Sequence, residues 1–102
     1  MLEIRPNCEL CNCALPPDSE EARICSYECT FCANCVDGPL EGVCPNCGGG
    51  FVARPIRPAT EHREGVSRDH QPASTQAVHS RYSPVEIEQF VSGIKSIPAK
   101  QR

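Results

Sequence analysis

The distribution of cysteine constrains this chain more than any other feature of its sequence. Nine of the 102 residues are cysteines, and all of them lie between Cys8 and Cys47. They form four close pairs and one additional thiol, namely Cys8/Cys11, Cys25/Cys29, Cys32/Cys35, Cys44/Cys47 and Cys13. Two residues between paired cysteines let both sulfurs reach one tetrahedral ion, and four thiolates close a structural site. The spacing therefore predicts two bound metal ions.

A disulfide-bonded scaffold is the competing interpretation of so many cysteines. The first residues, MLEIRPNCEL, lack the basic and apolar regions of a secretory signal, and no apolar run is long enough to span a membrane. These features predict a reducing, cytoplasmic location, where thiols do not persist as disulfides. The odd number of cysteines also favours metal, because pairwise bridging would leave one unpaired.

Composition divides the chain into three regions. The cysteine-rich part has too few large apolar residues to fold by burial alone, whereas the sequence after Pro58 is rich in Ser, Thr, Gln, His and Arg. We therefore expect a two-zinc module over residues 1–57, a polar disordered linker over 58–82, and a short amphipathic helix with a tail over 83–102. The fold class predicted for the module is a small metal-stabilised, zinc-finger-like domain with little regular secondary structure.

The C-terminal region carries the signals of one helix. Ser83, Pro84 and Glu86 form a capping box with proline at the first helical position. An apolar stripe follows at helical spacing, made of Ile87, Phe90, Val91, Ile94 and Ile97. A helix this short is marginal alone, so its apolar face is expected to dock on the module, on a second copy or on a partner protein.

The order of the cysteine pairs resembles the RING finger family over residues 8–47. In that family the first and third pairs share one ion, and the second and fourth pairs share the other. The resemblance implies a RING-like cross-brace or treble-clef knuckles with two ligand sets: site one is Cys8, Cys11, Cys32 and Cys35, and site two is Cys25, Cys29, Cys44 and Cys47. A sequential arrangement, with residues 8–29 on one ion and 32–47 on the other, satisfies the same count and stays open.

Ligase activity is the function that the RING resemblance raises first. Leu10 stands where such ligases place an apolar residue that contacts a ubiquitin-conjugating enzyme, and Pro45 matches their last cysteine pair. Between Cys35 and Cys44, however, there is no tryptophan and no room for the ligase helix. The sequence thus favours a protein that is not an enzyme. A role as a ligase-like adaptor stays an alternative to the structural role. Expected partner contacts are Leu10, Ile87, Phe90, Val91 and Ile94.

Charge and histidine spacing disfavour two further functions. Residues 1–57 contain four arginines and eight acidic residues, a net charge of −4, and Arg54 and Arg57 are the only close basic pair, so nucleic-acid binding is disfavoured. A catalytic zinc normally uses histidine or carboxylate ligands and keeps an open position. The three histidines, His62, His70 and His79, lie in the polar linker without ligand spacing.

Two uncertainties concern the sulfur ligands themselves. Four thiolates bind zinc or iron, and two clustered sites favour zinc while leaving iron open. Cys13 is either a spare thiol or an alternative ligand that competes with Cys11, and exposed thiolates are reactive. A thiol-based redox sensor or zinc-handling protein is therefore the alternative to a structural scaffold for protein contacts.

The first 58 residues, with ICSYECTFCANC and CPNCGG as the most specific stretches, look like a family of short bacterial proteins, the domain-of-unknown-function family numbered 1272. The resemblance implies a cysteine-rich, metal-binding module and assigns no reaction. The leading expectation is thus a structural two-zinc module that mediates protein–protein contacts.

Overall fold

A computed structural model describes all 102 residues of the chain. Regular structure is sparse: strands β1 (Ala22–Ile24), β2 (Thr30–Cys32) and β3 (Val52–Ala53), and helices α1 (Ala33–Asp37) and α2 (Pro84–Ser92). A single 3-10 turn, Ala99–Gln101, follows near the C-terminus. The expectation of a small domain with little regular secondary structure agrees with this architecture. No helix has the length and apolar character needed to cross a membrane.

The three strands form one small antiparallel sheet in the order β2-β1-β3. Arg23 in the middle of β1 faces Phe31 on one side and Ala53 on the other. The alternation of side chains along a strand places Ala22 and Ile24 in the core, while Arg23 points toward solvent. The sheet therefore carries two cysteine pairs at fixed points, one in the β1–β2 turn and one at the end of β2.

Helix α1 is one short stretch that begins directly after Cys32 and ends at Gly38. A Cβ at Gly38 would lie 2.8 Å from the carbonyl oxygen of Asn34, so this position accepts no side chain without a shift of the backbone. Ala33, Cys35 and Val36 are buried. The Gly-Pro stop that follows the helix is visible in the sequence, and it places Cys35 on the inner face.

The hydrophobic core is built partly from sulfur. Six of the fourteen residues in its main cluster are cysteines, and Phe31, Leu40 and Val43 are fully buried among them. The ring of Phe31 meets that of Phe51 edge to face at 5.5 Å between centroids. Thiol groups thus occupy the space that large apolar side chains fill in a metal-free domain.

Two arginines tie together loops that have no regular structure. Arg54 is buried, and its guanidinium donates to the carbonyl oxygens of Arg5, Leu15 and Pro16. Arg57 donates to the carbonyl oxygens of Leu2 and Gln71. The only close basic pair of the module therefore donates to backbone carbonyls of the same chain.

Residues 58–82, for which the sequence predicts a disordered linker, contain no helix or named strand. This segment crosses the module and makes long-range backbone contacts: Ser74 N–H donates to the carbonyl of Ile4, and Ser80 N–H donates to that of Glu9. The side chain of Asn7 both donates to the carbonyl of Val78 and accepts from its N–H. These bonds lead the chain to the face where α2 packs.

Helix α2 begins with the capping box that the sequence indicates. The Ser83 hydroxyl accepts from Glu86 N–H, and the Glu86 carboxylate accepts from Ser83 N–H. Ile87 and Val91 are buried in the core cluster, with 3% and 1% of their surface exposed. The helix therefore docks on the cysteine-rich module, the first of the three positions considered for it.

Candidate metal centre

The first cysteine pair lies in a tight loop, residues 8–13, that we call the Cys8 knuckle. Cys8 N–H donates to the carbonyl of Cys13, and Asn12 N–H donates to the carbonyl of Cys8, both at 2.9 Å. Asn12 adopts the left-handed conformation with φ of 65°, and its side-chain oxygen accepts from the Asn7 amide. Asparagine tolerates this conformation better than most residues. The reversal at Asn12 turns Cys13 back toward the first pair.

The last cysteine pair lies in an equivalent loop, residues 44–49, that we call the Cys44 knuckle. Cys44 N–H donates to the carbonyl of Gly49 at 2.9 Å, and Gly48 N–H donates to the carbonyl of Cys44 at 2.7 Å. Gly48 holds the left-handed position with φ of 79°. Gly49 N–H donates to the sulfur of Cys47 at 3.4 Å, the kind of contact that stabilises a thiolate.

The second pair, Cys25 and Cys29, occupies the turn between β1 and β2. Cys25 N–H donates to the Cys29 carbonyl, Glu28 N–H donates to the Cys25 carbonyl, and Glu28 is left-handed with φ of 68°. The Cys25 sulfur accepts from Tyr27 N–H at 3.3 Å. Local backbone geometry thus points both sulfurs of this turn inward.

Cluster one comprises the thiols of Cys8, Cys11, Cys13, Cys32 and Cys35. The sulfurs of the first four all lie within 4.8 Å of one another. Those of Cys11 and Cys32 are 3.7 Å apart, whereas ligands on a tetrahedral ion with bonds of about 2.3 Å lie about 3.8 Å apart. The Cys8 knuckle and the end of β2 therefore place the sulfurs of Cys11 and Cys32 at the separation that a four-coordinate zinc requires.

Cluster two comprises the thiols of Cys25, Cys29, Cys44 and Cys47. The sulfurs of Cys25, Cys44 and Cys47 lie within 4.8 Å of one another, and the Cys29 thiol interacts with that of Cys25. Cys25, Cys29 and Cys44 are buried, while Cys47 is exposed. The β1–β2 turn and the Cys44 knuckle thus bring four thiols together from positions far apart in sequence.

The grouping of the thiols bears on the two ligand arrangements considered from sequence. The Cys8 knuckle meets Cys32, and the β1–β2 turn meets the Cys44 knuckle, which is the interleaved order. Cys35 and Cys29 lie outside the tightest groups, although Cys35 interacts with Cys32 and Cys11. Cys13 lies inside the tightest group of cluster one. Two clusters that could hold metal ions are therefore present, and none of the three histidines belongs to either.

In cluster one the neighbouring groups give the thiols of Cys11 and Cys13 very different pKa values. The backbone N–H of Cys13 lowers the pKa of Cys11 to about 7, with help from the thiols of Cys13, Cys8 and Cys32. Desolvation and the thiols of Cys11 and Cys32 raise the pKa of Cys13 to about 12. In the absence of a cation Cys11 ionises first, and its charge opposes further ionisation.

In cluster two burial dominates. It raises the pKa of Cys44, which the charges of Cys29 and Cys25 raise further, and it raises the pKa of Cys29 as well. Several buried thiols cannot ionise together in an apolar surrounding unless a cation compensates their charge. A divalent metal cation would supply that compensation, and its binding would release protons.

A buried carboxylate, Glu9, was not identified from the sequence. Its Oε2 accepts from Thr30 N–H at 2.5 Å and from the Arg5 guanidinium at 2.9 Å, and its backbone N–H donates to the Thr30 carbonyl. Glu9 thereby fixes the Cys8 knuckle to the first residue of β2, and its charge contributes to raising the pKa of Cys29. Its place between two ligands in CELC gave no sign of burial.

The residues expected to contact a partner lie in different environments. Ile87 and Val91 are core residues of the docked helix, so the structure places them inside the chain rather than on a partner surface. Leu10 and Ile94 are half-buried against the core, and Phe90 is 39% exposed. Among the expected contact residues that lie on α2, Phe90 is the most exposed.

A small sheet, two short helices and two thiol clusters define the class: a cysteine-rich protein that could hold metal ions. The family described as "Protein of unknown function (DUF1272)" matches residues 1–57, and the chain belongs to that family, which confirms the resemblance seen in the sequence. An uncharacterized protein of Rhizobium meliloti (strain 1021) is 54% identical over 78 residues, covering 76% of this chain and 86% of that protein. No solved structure matches the chain.

Proposed function

We propose that this protein binds two zinc ions in tetrathiolate centres and serves as a structural module for contacts with another protein. Centre one uses Cys8, Cys11 and Cys32 with a fourth thiolate from cluster one. Centre two uses Cys25, Cys29, Cys44 and Cys47. The two centres interleave along the chain in a RING-like cross-brace.

The observation that carries this proposal is the convergence of distant thiols without disulfide bonds. Cys11 and Cys32 are 21 positions apart, yet their sulfurs are 3.7 Å apart, close to the separation in a tetrahedral zinc site. Every cysteine is a free thiol, and N–H groups of the two knuckles and of the β1–β2 turn donate to the sulfurs of Cys8, Cys47 and Cys25. Tetrathiolate sets suit zinc, and the closed ligand sets support a structural rather than a catalytic ion.

The proposed contact surface lies along α2, which acts as an amphipathic helix with one face on the module. A groove of about 500 Å³ runs between Leu10 and Pro39 on one side and Ile87 and Glu88 on the other. A second groove of about 440 Å³ lies on the opposite side of the helix, where Phe90 faces Pro45. Both grooves combine apolar walls with carboxylates, which supports a peptide or protein partner and no phosphate ligand.

The first experiment is elemental analysis combined with native mass spectrometry of the purified full chain. We expect two zinc ions and nine reduced thiols per molecule. The Cys44→Ser variant should retain a single ion. Iron in place of zinc would change the identity of the metal, and disulfide-bridged cysteines would contradict the proposal.

The contact role has its own test. Phe90→Ala retains the buried side chains of Ile87 and Val91 and should abolish capture of a partner by the full chain, with circular dichroism to check that the fold is kept. Val66→Ala removes a comparably exposed apolar side chain from the linker and should change nothing. Equal capture by both variants and by the wild type would contradict a contact surface along α2.

A further inference from the structure

The Cys8 and Cys44 knuckles are the same structure in two places. Each has an N–H of its first cysteine bonded to the carbonyl five residues later, and each has a left-handed residue four positions after that cysteine. The position after the left-handed residue is Cys13 in one knuckle and Gly49 in the other. Cys13 and Gly49 are thus structurally equivalent.

A side chain at this position lies against the second sulfur of the knuckle. A Cβ built on Gly49 would be 3.4 Å from the sulfur of Cys47, an ordinary contact distance. In the Cys8 knuckle that side chain exists, and it is a thiol. Its sulfur lies within 4.8 Å of those of Cys8, Cys11 and Cys32. Knuckle geometry therefore directs Cys13 toward the same point as the other three.

Cys35 approaches the same three sulfurs from α1. It is buried and interacts with the thiols of Cys32 and Cys11, but it lies outside the group whose sulfurs are all mutually close. A tetrahedral ion takes four thiolates, and cluster one offers five. Cluster two has no such surplus, because Gly49 stands where the additional thiol would be.

We propose that Cys13 and Cys35 are alternative fourth ligands of centre one, so that its ion can exchange one thiolate for the other without losing four-coordination. When the Cys13 thiol enters, its proton leaves to solvent, and the displaced Cys35 thiolate takes one up, so charge and protons balance. This inference rests on the proposed zinc binding. It makes centre one the exchangeable centre, suited to pass its ion to an acceptor that also offers thiolates.

Single cysteine-to-serine variants of the full chain, loaded with Co²⁺ as a spectroscopic probe, test the exchange. Cys13→Ser and Cys35→Ser should each retain two ions per chain and the absorption of tetrathiolate cobalt, because the other thiol substitutes. The matched control, Cys29→Ser in centre two, should lose one tetrathiolate centre at once. If Cys35→Ser behaves like Cys29→Ser, Cys13 is no ligand and the inference is wrong; the same loss in Cys13→Ser excludes Cys35.

Introducing an additional thiol into the Cys44 knuckle gives the converse test. Gly49→Cys introduces a thiol at the position equivalent to Cys13, and in the Cys29→Ser background it should restore the second tetrathiolate centre. Gly49→Ala in the same background controls for the added Cβ and should restore nothing. Failure of Gly49→Cys to rescue would show that this knuckle position cannot supply a ligand.

Native alkylation adds a readout at Cys13, which is exposed in this chain, whereas Cys35 is buried. In the zinc-loaded Cys35→Ser variant we expect Cys13 to resist the reagent, because its thiolate holds the ion. Rapid labelling of Cys13 in that variant would overturn the inference while leaving zinc binding by the wild type in place. A wild-type chain without metal would instead overturn the proposed function, so the two failures are distinguishable.

Discussion

The two thiol clusters use the same knuckle but differ in exposure and in number of ligands. Cluster one includes two exposed thiols, Cys11 and Cys13, and has five sulfurs for one tetrahedral ion. Cluster two has four sulfurs, three of them buried, and Cys44 is fully enclosed. The same backbone loop thus carries a more enclosed set of thiols in one place and a more exposed, larger set in the other. The residue after the left-handed turn, Cys13 or Gly49, makes that difference.

Metal removal should have the largest effect and should separate the clusters. A structural zinc contributes about 10 kcal/mol or more to folding, because buried thiols cannot remain charged or well packed without it. We expect a chelator to remove the ion of cluster one first and the ion of cluster two later, with loss of the cooperative fold at the second step. Stopped-flow chelation followed by circular dichroism measures both steps. A metal-free chain that still melts cooperatively would contradict the role of the metal.

Replacement of Glu9 tests the link between the clusters. Glu9→Gln removes a buried charge that Arg5 compensates and weakens the bond to Thr30 N–H, so the free energy of unfolding should fall by about 3 kcal/mol. Urea denaturation of the zinc-loaded chain measures the change. Glu88→Gln, on the exposed side of α2, is the control and should stay within about 0.5 kcal/mol of wild type. If Glu9→Gln left the free energy of unfolding unchanged, the Cys8 knuckle would be fixed by its backbone hydrogen bonds alone.

Truncation of a core residue in α2 tests whether the helix protects both clusters. Val91→Ala should lower the free energy of unfolding by about 2 kcal/mol, because its side chain is fully buried. Since Ile94 and Phe90 also pack near Gly48 in the Cys44 knuckle, weaker docking should speed zinc release from cluster two. Val85→Ala, at an exposed position of the same helix, should change neither the free energy of unfolding nor the rate of zinc release. Equal release rates for both variants would show that α2 does not protect the Cys44 knuckle.

The pH dependence should have opposite signs with and without metal. In the metal-loaded chain protons compete with zinc for the thiolates, so stability falls as pH falls. In the metal-free chain the pKa values of Cys44 and Cys29 are raised by burial, so any residual structure is favoured while thiols are protonated. That contribution is lost as pH rises above about 8.5, where unfolded thiols ionise, at a cost of about 1 kcal/mol.

Urea midpoints of the zinc-loaded chain between about pH 6 and 9 give the first slope, and circular dichroism of the chelated chain over the same range follows its residual structure and gives the second. Parallel slopes would mean that the metal-free thiols are not buried as the structure shows. The pH dependence of the metal-free chain is the smallest of the four predicted effects, because it concerns only residual structure.

Several features of the fold could be predicted from the sequence because they depend on neighbours in the chain. The short helix after Cys32 stops at Gly38, where a side chain would meet the carbonyl of Asn34. The capping box at Ser83 forms as its sequence pattern indicates. The presence of cysteine clusters that could hold metal follows from pair spacing. In the helix stop and the capping box, and in the turn of each cysteine pair, a few consecutive residues fix the geometry through local contacts.

Other features depend on contacts between distant residues and gave no signal in the sequence. Glu9 and Arg54 are charged residues in a polar context, yet both are buried because loops without regular structure need donors and acceptors from side chains. The hydrogen bonds that residues 58–82 make with Ile4, Asn7 and Glu9 likewise join distant parts of the chain and have no signal in the sequence.

The number of thiols, their spacing and the turns that orient each pair follow from adjacent residues, since a knuckle closes within six residues. Which pairs meet depends on the three-dimensional fold, because interleaved and sequential sharing satisfy the same count of ligands. The position of Cys13, in contrast, is set within the knuckle by the left-handed Asn12 and by the bond from Asn7. The physical reason is one of range: turn geometry is set by adjacent residues, whereas the meeting of Cys11 with Cys32 is set by how the sheet and α1 fold against the first knuckle.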